Sequence, residues 1–158
     1  MTATGVDFIK IGFFSHPFAL ECASALSLLA NRVRLVAVLF ADEPYDLALV
    51  EELSRNGFAG AMLDTAHKTG RTLRDWRGEN ELREFVTLGR ANGLLTGLAG
   101  ALRHDDVATL VAISPDYLGF RGALCQNNER GGILDQQAFA GIRAAIPQDA
   151  VRNRRAVA

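Results

Sequence analysis

The chain has 158 residues, 17 basic and 18 acidic side chains, and a formal charge of −1; 49% of its residues are hydrophobic and 22% charged. This balance suits one globular domain with its own core and excludes a disordered chain. Without a basic excess, nucleic acid, acidic polymers and anionic membranes are poor partners.

In chain order, strand-like and helix-like stretches alternate. Val6 to Phe13 is β-branched and aromatic and reads as the first strand. A helix is expected from Pro17 to Asn31, with Ala and Leu at three- and four-residue spacing. Val33 to Phe40 is the second strand, and Asp46 to Asn56 the next helix, stopped by Gly57. Ala59 to Asp64 is the third strand, followed by a polar stretch from Thr65 to Gly78. Glu79 to Asn92 reads as a helix closed by Gly93. Leu94 to Ala99 is the fourth strand and Leu102 to Val111 a short helix. Tyr117 to Phe120 is the fifth strand, and a helix from Asp135 to Ile146 ends the domain. Residues 147–158 carry Arg152, Arg154 and Arg155 and are expected to form a flexible basic tail after a domain of residues 1–146.

Apolar strands alternating with helices imply an α/β fold with a helix-covered parallel sheet. An eightfold (β/α) barrel uses about 31 residues per unit, so five units are either an open sheet or an incomplete barrel. No glycine-rich dinucleotide or P-loop fingerprint follows a strand. Cys22 and Cys125 lie far apart, and His16, His67 and His104 are scattered, which argues against a metal site or disulfides and for reduced thiols in the cytoplasm. Neither an apolar run of membrane-spanning length nor a signal-peptide pattern is visible. Trp76 and the nine phenylalanines are expected in the core.

Chemistry in such folds sits at the carboxyl ends of the strands. Alternation places Ile9, Ile11 and Phe13 on one face and Lys10 on the other. A buried Lys10 would suit base or Schiff-base work; otherwise it snorkels or pairs with a carboxylate. Asp64 ends the third strand and Lys68 follows in the loop, either as an acid–base pair or as a loop cap beside a solvated lysine. Asp42 ends the second strand, where it binds a substrate hydroxyl or caps the turn before Pro44. Gly100 and Gly122 follow the last two strands, where backbone N–H groups cradle phosphate or the glycines serve tight turns. Arg121 adds charge to such a site or lies on the surface.

The run from Ala61 to Leu73, with Leu63-Asp64-Thr65-Ala66-His67-Lys68-Thr69-Gly70-Arg71-Thr72-Leu73 at its heart, resembles the LDTA-x-K-x-G-[KR]-T-L signature of the (5-formylfuran-3-yl)methyl phosphate synthase family of methanofuran biosynthesis. Gly5 to Gly12, Gly93 to Leu102 and Gly119 to Cys125 resemble further segments of that family. The resemblance implies a (β/α)8 barrel of TIM type, present here as about five units. It implies a lyase that joins two glyceraldehyde 3-phosphate molecules with loss of phosphate and water, without metal or organic cofactor. The proton-acceptor lysine of the family falls on Lys10, and its acid–base and substrate-contact residues on Asp64 and Lys68. Gly97 joins Asp42, Gly100, Arg121 and Gly122 as an expected substrate or phosphate contact. The family's Schiff-base lysine lies in a D-V-K strand ahead of the matching part, so the 158-residue chain is expected to lack that covalent intermediate at the family's position and to show little or no synthase activity by itself. Two further expectations stand beside this one: a non-catalytic assembly module using open sheet edges, as in a homo-oligomer, and another phosphosugar aldolase or isomerase on the same scaffold.

Overall fold

The computed structural model describes residues 5–14, 17–67 and 70–147. Five parallel strands form one sheet in sequence order: β1 (Phe8–Phe13), β2 (Arg34–Phe40), β3 (Gly60–Asp64), β4 (Leu95–Leu98) and β5 (Tyr117–Leu118). Between them run α1 (Ala19–Ala25), α2 (Ser27–Ala30), α3 (Ala48–Arg55), α4 (Leu73–Trp76), α5 (Glu79–Ala91) and α6 (Val107–Ile113); α7 (Gln136–Ala145) follows β5. The strand order never reverses. A doubly wound sheet needs such a reversal at its switch point, whereas a barrel adds each new strand on the same side.

The two faces of the sheet confirm the barrel geometry. Leu35, Ala37, Leu39, Ala61, Leu63 and Leu98 pack on the helices with no more than a trace of exposure. Helix residues Leu49, Leu53, Leu82, Phe85 and Leu110 meet them there. The opposite face carries a much smaller apolar cluster, Val36, Met62 and Ala99, flanked by Val38 and Tyr117. Registration puts Lys10 beside Val36, Val36 beside Gly60, and Gly60 beside Leu95, so these residues share that inner face. In a flat sheet β1 and β5 would lie roughly 19 Å apart, four spacings of about 4.8 Å. Yet the Lys10 ammonium on β1 stands 5.1 Å from the ring centroid of Tyr117 on β5. The sheet is therefore strongly curled, with Lys10 and Tyr117 inside the curve.

Glycine helps the helices sit close. In α5, Gly89 faces Thr96 so tightly that an added Cβ would lie 2.6 Å from its Cγ2. Gly57 and Gly93 follow α3 and α5 with φ of +77° and +72°, the left-handed stop that ends a helix.

The boundaries shift modestly from the sequence reading. The first helix is two pieces, because the Leu26 N–H is shared between the Cys22 and Ala23 carbonyls and tightens the turn there. The polar stretch after β3 contains α4, begun by a reciprocal cap in which the Thr72 N–H donates to the Asp75 carboxylate at 2.6 Å. The Thr-x-x-Asp spacing carries that signal. The stretch expected as one helix after β4 opens as a 3-10 turn, His104–Asp106, before α6. After β5 the chain makes two 3-10 turns, Gly122–Leu124 and Gln126–Asn128, instead of an open loop. Four phenylalanines expected in the core, Phe8, Phe14, Phe18 and Phe139, are exposed, three of them on or beside the edge strand β1. Residues 148–158 of the expected tail lie outside the described residues. Among the described residues, no helix is long and apolar enough to cross a membrane.

Candidate functional site

A cavity of about 530 Å³ opens at the carboxyl ends of β3, β4 and β5, within the ordinary size range of a small-molecule site. Met62 and Ala99 contribute apolar wall, and Lys10 and Asp64 reach it from β1 and β3. The turns after β4 and β5 complete it, adding Gly100, Gly122 and three arginines: Arg103, Arg121 and Arg130. Four cationic side chains thus face one carboxylate, in a chain whose overall charge is −1.

Each turn has a local reason for its shape. Gly100 has φ +114°, and an added Cβ would lie 2.9 Å from Thr65 Cγ2 and 3.1 Å from the Thr65 nitrogen. Only glycine lets the β4 turn approach the end of β3 so closely. Its carbonyl accepts the Leu73 N–H at 2.8 Å, which ties α4 to the cavity rim. Arg103 donates to the Gly70 carbonyl at 2.9 Å and closes the same side. After β5, Gly122 lies against the Asn128 carbonyl, 2.9 Å from where a Cβ would be. This close contact folds the loop back and brings Arg130 to the rim. No sequence spacing signals Arg130, because its position depends on a loop-to-loop contact. Arg103 was legible in principle, three residues beyond Gly100.

The structure brings Lys10, Asp64, Gly100, Arg121 and Gly122 to one cavity. Lys68 lies outside the described residues. Lys10 is exposed, the snorkelling alternative of the sequence reading and not the buried one. Asp64 is half-buried and accepts the Thr65 N–H at 2.7 Å.

Two expected substrate contacts have other duties. Asp42 lies away from the cavity with its side chain 1% exposed. It accepts the N–H groups of Ala66 and His67, each at 2.7 Å, and its Oδ2 lies 3.2 Å from His67 Nδ1. Burial pushes the Asp42 carboxyl upward, but these backbone donors outweigh it and hold the group below its ordinary value. The Asp42 carboxylate therefore clamps the loop after β3, a duty that neither sequence alternative named. Gly97 does not line the cavity either. It lies under Tyr117, where any Cβ would overlap the phenol ring and hydroxyl. Tyr117, which sequence reasoning read only as strand, is pushed up to about 12 by burial, with the Asp116 carboxylate adding to the rise, and stays a neutral phenol at neutral pH.

A further trait concerns composition. The chain has only two lysines, Lys10 and Lys68, and arginine supplies every other basic side chain. Its ammonium groups are thus confined to the positions singled out for acid–base work.

Comparison with known proteins decides the family. The model of a family described as 4-HFC-P synthase matches residues 1–143. The chain belongs to that family. A (5-formylfuran-3-yl)methyl phosphate synthase of Methanopyrus kandleri is 34% identical over 142 residues, covering 82% of this chain and 60% of that protein. Its counterpart in Methanocaldococcus jannaschii is 34% identical over 157 residues, covering 89% and 65%. A Methylorubrum extorquens protein is 40% identical over 152 residues, covering 96% and 61%. The chain thus spans about three fifths of the length of the curated relatives it matches. Among solved structures, a thiamine phosphate pyrophosphorylase from Pyrococcus furiosus superposes with a TM-score of 0.62 at 14% identity, covering 92% of this chain and 61% of that one. That likeness speaks for the fold alone and agrees with the curled sheet.

Proposed function

We propose that this chain carries the proton-handling and phosphate-holding part of a (5-formylfuran-3-yl)methyl phosphate synthase, a lyase that condenses two glyceraldehyde 3-phosphate molecules with loss of phosphate and water. The observation that carries the reading is the charge of the cavity, four cations against one carboxylate in a nearly neutral chain. Such focused positive charge attracts and orients dianionic phosphate esters. Arginine forks suit phosphate geometry, and the turns at Gly100 and Gly122 lie where eightfold barrels commonly hold phosphate. Lys10, on the inner face, accepts a proton from substrate carbon; Asp64, at the end of β3, exchanges protons with substrate oxygen, with Lys68 following in the loop. No step assigned to these residues calls for a metal or an organic cofactor.

Calorimetry with glyceraldehyde 3-phosphate, using inorganic phosphate as competitor, tests the phosphate part. Binding by the native chain, weakened about tenfold or more in Arg121→Ala/Arg130→Ala, is expected, since charge-assisted hydrogen bonds contribute roughly 1.5–3 kcal/mol each. No competition between the two ligands would overturn it. Any product formed would report the reaction class: an aldehyde on a furan ring absorbs in the near ultraviolet, whereas an isomerase or aldolase would yield triose or hexose phosphates with no such band.

One structural feature supports assembly as a homo-oligomer. Among the described residues, Phe8, Phe18, Leu20 and Leu28 are exposed large apolar side chains. Exposed apolar groups invite another chain, and a second copy is the partner always at hand. Light scattering at micromolar concentration should give a mass above that of one chain; a monodisperse monomer would refute the oligomer.

A further inference from the structure

We propose that Tyr117 is a positioning residue for the Lys10 ammonium and that Gly97 is the seat that allows it. The inference rests on the reading of Lys10 as the proton-handling group and adds the means by which an exposed lysine is kept aimed into the site.

Lys10 needs such a means. The side chain is exposed. A four-carbon stem in that setting samples many rotamers. Among the described residues, no carboxylate lies within ion-pair distance of Lys10. What faces the ammonium is the ring of Tyr117, with its centroid 5.1 Å away, inside the range of roughly 6 Å over which a cation is attracted to an aromatic face.

Tyr117 is in turn placed by shape. Among the described residues its buried hydroxyl has no hydrogen-bond partner, unusual for a buried phenol. The tip of the ring instead lies on the bare Cα of Gly97, on the adjacent strand β4, where a Cβ would collide with three of its atoms. The registration Gly97–Tyr117 therefore lays the ring along the inner face of the sheet and turns it toward β1. Lys10 borders both the phosphate-side cavity and a second, more apolar hollow of about 390 Å³ that includes Phe8, Leu95 and Tyr117. The ring holds the ammonium at the boundary between them.

Because the chain has only two lysines, the contact is directly observable. Reductive methylation with 13C-formaldehyde labels Lys10, Lys68 and the amino terminus, and Lys68→Arg assigns the signals. Ring current should shift the Lys10 methyl resonance upfield of the Lys68 resonance in the native chain. Tyr117→Phe, which keeps the ring, should retain the shift, and Tyr117→Leu should abolish it. In parallel, the rate at which a limiting amine reagent modifies Lys10, with Lys68 as internal standard, should rise about two- to fivefold in Tyr117→Leu and not in Tyr117→Phe. A native Lys10 signal coincident with that of Lys68 would overturn the proposal, and so would a modification ratio equal in the Leu and Phe variants. If the Leu variant does not fold, the native chemical shift decides alone. Neither readout needs turnover, so the contact stands or falls independently of the proposed reaction.

Discussion

Met62 and Leu63 are neighbours in β3, yet they meet different surroundings. Leu63 enters the helix-covered face, is fully buried and belongs to the large cluster that includes Leu35, Leu39, Phe85 and Leu98. Met62 enters the inner face, belongs to the small cluster with Val36 and Ala99, and borders the cavity. One side of the sheet is closed by apolar contact. The other holds the ionisable groups, Lys10 and Asp64, within a sparse apolar setting. Stability and chemistry thus divide by face, and the period-two alternation of a strand is the device that separates them.

This division predicts unequal costs for equal chemistry. Leu63→Ala should destabilise the fold by about 2–5 kcal/mol, the usual range for a fully buried leucine, because a closed cluster leaves a cavity behind. Met62→Ala should cost at least about 1 kcal/mol less, since water from the adjoining cavity can fill the space. Urea melts of the two variants measure both. Equal losses would mean that the inner face is as tightly packed as the outer one and would break the comparison.

A smaller effect belongs to the loop clamp. Asp42→Asn keeps the shape and loses the charge that holds the Ala66 and His67 N–H groups. A loss of about 1–2 kcal/mol at pH 7 is expected, in line with hydrogen bonds to a charged group. The native Asp42 carboxyl lies below its ordinary value. The folded state therefore binds a proton more weakly than the unfolded chain does, and the clamp's contribution is fully present above the unfolded pKa of about 3.9. It falls away as pH drops through the lower, folded value. The native-minus-Asn difference in stability should accordingly be constant from neutral pH down to about 5 and shrink below about 4. A difference that grows on acidification would contradict the clamp.

The sequence made the outer face easy to read. Ile9, Ile11 and Phe13 alternate with Phe8, Lys10 and Gly12, which gives the sidedness of Lys10, and near-continuous apolar strands alternating with helices give the parallel sheet. Whether the strands form a barrel section or an open doubly wound sheet was not legible from that pattern, because both architectures use the same alternation. The unreversed strand order and the Lys10–Tyr117 approach settle it. At the site, the turn glycines Gly100 and Gly122 stood out because they follow strands. Asp42 did too, but position at a strand end does not say whether a carboxylate faces a ligand or its own loop. Gly97 stood out for the wrong reason: its missing side chain makes room for Tyr117, a partner twenty residues away that only the strand registration reveals. Burial and snorkelling of Lys10 both remained open in the sequence, because flanking isoleucines suggest burial while exposure depends on which strands pair.

The smallest expected change in stability belongs to Asp64→Asn, and it has the most specific consequence for the inner face. Asparagine retains a side-chain oxygen for the Thr65 N–H, which Asp64 accepts at 2.7 Å, so the fold should hold within about 0.5 kcal/mol. Removing the one carboxylate from a cavity with four cations makes that cavity more positive. Inorganic phosphate should then bind more tightly, by about two- to fivefold at low ionic strength, an increment of about 0.5–1 kcal/mol from relieving one like-charge interaction in a solvated site. The gain should fade as salt shortens the screening length. Tighter phosphate binding would separate the holding of the anion, which the arginines supply, from the proton transfer assigned to Asp64. If phosphate binding weakens instead, Asp64 is holding the arginine rim in place, and the inner face serves stability after all.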